Sequence, residues 1–334
     1  MNDKIDFVII WVDGNDPKWQ EEKNKYTKEV NEDSRDTRYR DWDNLKYWFR
    51  AVEECAPWVN KIHFVTCGHL PNFLNVNNPK LNIVNHEDFI PKEYLPTFNS
   101  HTIELNLHRI KDLEEKFVYF NDDMFIINKV KPTDFFKKGL PCDMAVFSPA
   151  IKEDRNGIGT VVMNNMGIVN EYYNKKAQVK KNLFKFFNIK YGMQNIKNIL
   201  LMPWRSFTGF YELHLPSSFL KQTYTELWNK ENEELNNTSL HKFRDIRQDV
   251  SQWLIKDWQL ASGNFYPRSH RIGKLHTLNE DSNVEKILSS SKKKYKMICL
   301  NDSEHISDTS FKNLKEEVIN QFEKFFPNKS SFEI

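Results

Sequence analysis

The chain has 334 residues, 39% of them apolar and 14% aromatic, with 25 Phe, 12 Tyr and 9 Trp. That is enough bulk for a real core and excludes a wholly disordered chain. Lys and Arg number 48 against 46 Asp and Glu, a net charge of +2, which argues against a dedicated nucleic-acid binder.

In chain order, Ile5 to Val12 (IDFVIIWV) is a near-continuous apolar run, as expected of a buried parallel strand. It ends in the turn Asp13-Gly14-Asn15-Asp16-Pro17. Residues 20–44 are strongly charged and predict a loop or short helix over a site. Asp43 is placed to cap a helix reaching Glu54, stopped by Pro57. Lys61–Thr66 and Leu81–Val84 predict two strands, and Ser100 a helix cap. Phe117–Phe120 predicts a fourth strand running straight into Asn121-Asp122-Asp123. This alternation predicts an α/β fold with a largely parallel sheet.

Met144–Phe147 predicts a further strand. Residues 152–200, rich in Lys and Asn, predict a helical insertion. Helices are expected over Phe219–Trp228 and Val250–Leu260, and a late strand within Lys292–Leu300. The final helix, from near Ser310, has an apolar face of Phe311, Leu314, Val318, Phe322 and Phe325. Either it caps the core or it lies on a membrane surface. Cys55, Cys67, Cys142 and Cys299 are widely spaced and form no CxxC, so neither a zinc knuckle nor a disulfide framework is indicated. No apolar run approaches the ~20 residues of a membrane span, and the polar start does not resemble a signal peptide. A cytoplasmic chain, with room for contact at the inner membrane face, is the expectation.

Asp122-Asp123 is the strongest chemical signal. Two carboxylates at the C-terminal end of an apolar strand fall in the crevice of an open α/β sheet. They repel unless a cation compensates, and oxygen ligands suit Mg2+ or Mn2+. A polar turn is the bland alternative. Asp13 and Asp16 sit in a glycine-containing turn that could hold a nucleoside, and Asn301-Asp302 closes another apolar strand. Arg38, Arg40 and Arg50 are candidates for phosphate. His101, just inside a helix start, could donate to a sugar or phosphate. His214, stiffened by the nearby Pro216, is a candidate general base. Arg244 could neutralise charge on a phosphoryl group, with Arg247 and Asp249 orienting it. Neither GxGxxG nor a P-loop occurs.

Together these segments resemble the Stealth family of capsular and surface polysaccharide phosphotransferases, distant relatives of the lysosomal-enzyme GlcNAc-1-phosphotransferase. The opening IDFVIIWVDGNDPKW is similar to the family's first region, and Arg38 to Ile127 to its second. ELHLP with HKFRDIRQD resembles the third, and KMICLND the fourth. The resemblance implies a GT-A-like nucleotide-sugar-binding fold. It implies transfer of a sugar 1-phosphate from a UDP-sugar to a hydroxyl of an acceptor glycan, lipid-linked or free, with release of UMP. On that basis Asp13, Gly14 and Asp16, with Arg38 and Arg40, would hold the nucleotide. Asp123 and Asp302 would hold the metal, supported by Asp122. His214, Arg244, His101 and Asp249 would serve catalysis. The implied organisation is a nucleotide-sugar core over 1–150, an insertion over 151–200, the rest of the core over 201–309 and a terminal helix over 310–334. Homo-oligomerisation is left open. An ordinary glycosyltransferase releasing UDP and a non-catalytic assembly partner are the alternatives.

Overall fold

The computed structural model describes residues 4–27, 40–152, 157–303 and 306–334. Its strands are β1 (Asp6–Ile10), β2 (Ile62–Thr66), β3 (Leu81–Asn85), β4 (Lys116–Phe120), β5 (Met124–Ile126), β6 (Phe136–Lys137), β7 (Leu140–Asp143), β8 (Ser217–Leu220), β9 (Tyr266–Pro267), β10 (Gly273–Leu278) and β11 (Met297–Asp302). The central sheet runs β3-β2-β1-β4-β8. Its first four strands are parallel, and β8 lies antiparallel on β4. A second sheet, β10-β11-β5, continues beyond the acidic turn after β4. The α/β architecture expected from the alternation is present.

Side chains of β1 alternate between two cores. Phe7 and Ile9 face one side, packed with helices Leu45–Cys55 and Asp308–Phe325. Val8 faces the other, packed with helices Ser100–Asn106, Gly159–Tyr172, Lys221–Lys230 and Gln252–Ser262. A strand covered on both faces must be apolar throughout, which is why β1 and β4 read as unbroken hydrophobic runs. Their C-terminal ends open on one edge, where an α/β sheet gathers its ligands.

Several local expectations shift. Asn99, not Ser100, caps its helix, its side chain accepting from the His101 N–H at 3.0 Å. Asn44, not Asp43, precedes helix Leu45–Cys55, and Asp43 takes a left-handed φ of 50°. The strand expected at Met144–Phe147 lies at Leu140–Asp143 instead. Ser217–Leu220, partly read as helix, is β8, because Phe219 pairs with Phe117 on the open edge of β4.

The last helix caps the core. Leu314, Val318 and Phe322 are buried, and the Phe322 ring stacks on Tyr47 at 5.8 Å and meets Phe125 at 4.6 Å. Its apolar face is therefore spent inside the protein. Arg50, a candidate for phosphate, instead clamps the C-terminus. It is buried and bidentate to Glu333 at 2.9 Å, and it also donates to Glu323 and to the Phe326 carbonyl.

Candidate active site

The carboxylates anticipated at separate strand ends meet at one edge of the sheet. Asp122 and Asp123 form the turn between β4 and β5, and the Leu300 N–H donates to the Asp123 carbonyl at 2.9 Å, tying β11 to that turn. Asp302 ends β11 two residues further on. Asp122 is an exposed residue of that turn whose carboxylate has neighbouring segments around it. Burial, then the charges of Asp123, Asp41 and Asp302, push its carboxyl up to about 7. Asp41 in turn feels Asp13, so the negative charge is continuous from the β1 loop to β11. Sequence reasoning missed Asp41, which lies outside any strand and is brought in by the chain's return over this edge.

Asp123 is the hub. Its Oδ2 accepts from the Cys299 thiol at 3.1 Å and lies 3.7 Å from His214 Nε2. Its Oδ1 is buried with no hydrogen-bond partner among the described residues. Asp123, His214 and Cys299 offer ligand atoms all within 4.8 Å of one another. Burial and the adjacent Asp123 push the Cys299 thiol well above its usual range, so it stays protonated and acts as a donor. An open, buried carboxylate oxygen beside further carboxylates suits a hard divalent cation better than a thiolate-bound one.

His214 occupies a left-handed backbone position, φ 48°, and its N–H donates to Glu212 Oε1 at 2.8 Å. Burial lowers its pKa, but Asp123, Glu212 and Glu104 outweigh that and hold it above the ordinary histidine value. Glu212 is paired with Lys256 at 2.5 Å, and Lys256 lies 3.5 Å from Asp143. Glu212 opens the ELHLP segment, whereas Lys256 and Asp143 lie in no motif singled out in the sequence.

Asp249 is fully buried and organises the second half of the site. It accepts from His101 Nδ1 at 2.9 Å, His241 Nδ1 at 2.6 Å and Asn99 Nδ2 at 3.1 Å. Burial alone would raise its carboxyl, but the two histidines outweigh that and hold it below the usual range. With Nδ1 donating, the Nε2 of His101 is the nitrogen left to act. Arg244 donates to Ser100 Oγ, next to His101. Its charge reaches Tyr119, whose hydroxyl bonds both Glu104 and Asn121. The His101–Asp249 cluster and the acidic edge are thus one connected region. Arg247 contributes its backbone here: its N–H donates to Asp245 and its carbonyl accepts from Asn164.

In the β1 loop the Asp13 N–H donates to His69 Nε2 at 2.7 Å and the Asp13 carboxylate accepts from the Asn15 N–H. The Gly14 carbonyl accepts from Gln20. Asp16 caps helix Pro17–Tyr26 through the Trp19 N–H, which shapes the loop. Arg40 reaches Asp302 at 3.9 Å and Asp308 at 3.6 Å. Arg38 lies outside the described residues. Beside Glu212 opens a cleft of about 670 Å3, lined by Gln194, Tyr211, His270, Arg271, Lys294 and Tyr295 among others.

Comparison with known proteins places the chain in a family. Residues 3–30 match the model for Stealth protein conserved region 1, and residues 38–142 that for conserved region 2. The chain is 49% identical to a capsular polysaccharide phosphotransferase, WcwK, of Streptococcus pneumoniae, over 99% of this chain and 98% of the relative. It is 39% identical to an exopolysaccharide phosphotransferase, cps2G, of Lactiplantibacillus plantarum (98% and 96%). It is 41% identical to a receptor polysaccharide phosphotransferase, WefC, of Streptococcus oralis (99% of each). The chain belongs to the Stealth family. Among solved structures, the galactosyltransferase LgtC in complex with donor and acceptor sugar analogs is similar at a TM-score of 0.38 and 11% identity, over 94% of this chain and 95% of that one. No helix of the described residues is long and apolar enough to cross a membrane.

Proposed function

We propose that the chain transfers a sugar 1-phosphate from a UDP-sugar to a hydroxyl of an acceptor glycan in capsule or surface polysaccharide. The observation that supports this most directly is the contact of His214 with Asp123, whose second oxygen is buried and open. A base and a cation-ready carboxylate then share one cleft, as phosphoryl transfer to a hydroxyl requires. The names of the relatives, all phosphotransferases, point the same way.

His214 takes the proton of the acceptor hydroxyl. The freed oxygen attacks the β phosphorus, a new P–O bond forms, and the bond from that phosphorus to the bridging oxygen breaks. UMP departs with that electron pair, and the product is a phosphodiester. Arg244, steadied by Ser100, faces the non-bridging oxygens. Asp249 orients His101 at the pocket wall. Asp13 and Gly14, with Arg38 and Arg40, hold the uridine diphosphate, and Asp16 shapes their loop. Mg2+ or Mn2+, held by Asp123 and Asp302 with Asp122 alongside, supplies charge neutralisation on the diphosphate. The cleft beside Glu212, with two tyrosines and a cationic rim, suits the acceptor glycan.

The test is a panel of UDP-sugars with Mn2+ and an acceptor glycan, with products identified by mass. UMP with a sugar phosphodiester is expected. UDP with a glycoside would replace this reading by an ordinary glycosyltransferase. Donor binding without turnover of any UDP-sugar would leave a non-catalytic assembly partner.

A further inference from the structure

Helix Asn195–Leu201 is inverted relative to a normal surface helix. Its fully buried residue is Asn198, whose amide bonds Phe147 N–H and the Ala145 and Phe186 carbonyls. Ile196, Ile199 and Leu200, at helical spacings of three and four, point outwards and are exposed. The pattern continues upstream, where Phe184 is 83% exposed, Ile189 93% and Met193 78%, and downstream at Trp204. The Asn198 amide is fully hydrogen-bonded, so its burial is compensated, but exposing this many large apolar side chains costs free energy in water and marks a surface meant to be covered.

Charge says what covers it. Residues 172–211 contain seven lysines, one arginine and no Asp or Glu, a net +8 in a chain whose total is +2, so the remainder is −6. Lys176, Lys180, Lys181 and Arg205, which bracket the apolar residues in sequence, are exposed. A second copy of the chain would fit poorly, because a two-fold contact would press this cationic segment against itself. We propose that residues 183–204 dock on an anionic phospholipid bilayer, with the apolar side chains entering the headgroup boundary and the flanking lysines meeting lipid phosphates. Trp204 suits the interfacial level. Gln194, within the same segment, lines the cleft beside Glu212, so docking brings that cleft to the bilayer surface.

Co-sedimentation of the full chain with vesicles tests this. Binding is expected to vesicles of phosphatidylcholine mixed with phosphatidylglycerol, and release at high salt. The triple variant Phe184→Ser, Ile189→Ser, Leu200→Ser and the reversal Lys180→Glu, Lys181→Glu should each bind roughly tenfold or more weakly. Both alter exposed positions, so unfolding midpoints should match the parent's. Brominated acyl chains should quench emission in the parent and lose that component in Trp204→Phe. A chain left in the supernatant with anionic vesicles, or a triple variant that binds like the parent, overturns the proposal. Vesicle-independent self-association lost in the triple variant would overturn it too, assigning the surface to a second copy.

Discussion

His214 Nε2 lies 3.7 Å from Asp123 Oδ2, held there from a left-handed backbone at φ 48°. Non-glycine residues seldom take such a position, with Asn, Asp and His doing so most readily. His214 adopts it where its ring meets the Asp123 carboxylate, at the place where the proposed chemistry occurs. His214→Asn keeps a residue that tolerates this backbone and removes the base. Turnover should fall by ~100- to 10,000-fold, while stability changes by less than about 1 kcal/mol. Full turnover at saturating substrate would remove His214 from the base role.

Asp123 and Asp302 are the proposed cation ligands. Asp123→Ala and Asp302→Ala should each abolish measurable Mn2+ binding in calorimetry and reduce UMP release by roughly 100-fold or more. Asp122→Asn should be milder, since that residue supports without ligating. Undiminished Mn2+ affinity in Asp123→Ala would place the cation elsewhere.

The raised Asp122 carboxyl makes cation binding pH-dependent. At about 7 it is half protonated near neutral pH without a cation. A cation favours the ionised form, so Mn2+ binding near pH 7 should release about half a proton. That release should fade by about pH 9, where Asp122 is already ionised. The buffer dependence of the binding enthalpy measures it, and Asp122→Asn should remove it.

Asp249 makes the fold acid-sensitive. Its folded pKa lies below the unfolded value near 3.8. The stabilisation is therefore complete above that value and is lost as pH falls through the lower, folded one. Asp249→Asn should lower stability at neutral pH and flatten the acid limb of unfolding midpoint against pH. An unchanged acid limb would contradict the assignment.

Lys256 separates two carboxylates, Glu212 and Asp143. Lys256→Met leaves both without that cation and should cost about 3 kcal/mol in denaturant unfolding. Adding Glu212→Gln should recover part of the loss, and purely additive losses would show that the two side chains are not coupled.

Much of this site was readable in the sequence because its ligands follow strands buried on both faces. IDFVIIWV, KFVYF and MICL announce themselves by continuous hydrophobicity, and the polar residues after them must lie at strand ends. That places Asp13, Asp122-Asp123 and Asp302 without knowledge of their distances. His214 and Arg244 are candidates by residue type alone, and the family resemblance implies the same roles for them.

Other features have no local signature. Asp41 and Cys299 join the site through contacts between distant segments, and Glu212 is fixed by Lys256 from helix Gln252–Ser262; the local sequence does not name those partners. Ser217–Leu220 became a strand because β4 had an open edge. Two helices with clear apolar residues took opposite fates: Asp308–Phe325 turns its apolar face into the core, and Asn195–Leu201 turns its own outwards. Hydrophobic periodicity defines a face but not its direction. The sequence by itself therefore determined which residues stand at strand ends and that the last helix is amphipathic. Tertiary packing alone decided which carboxylates share a charge field and which apolar face remains open, because both depend on distances between segments remote along the chain.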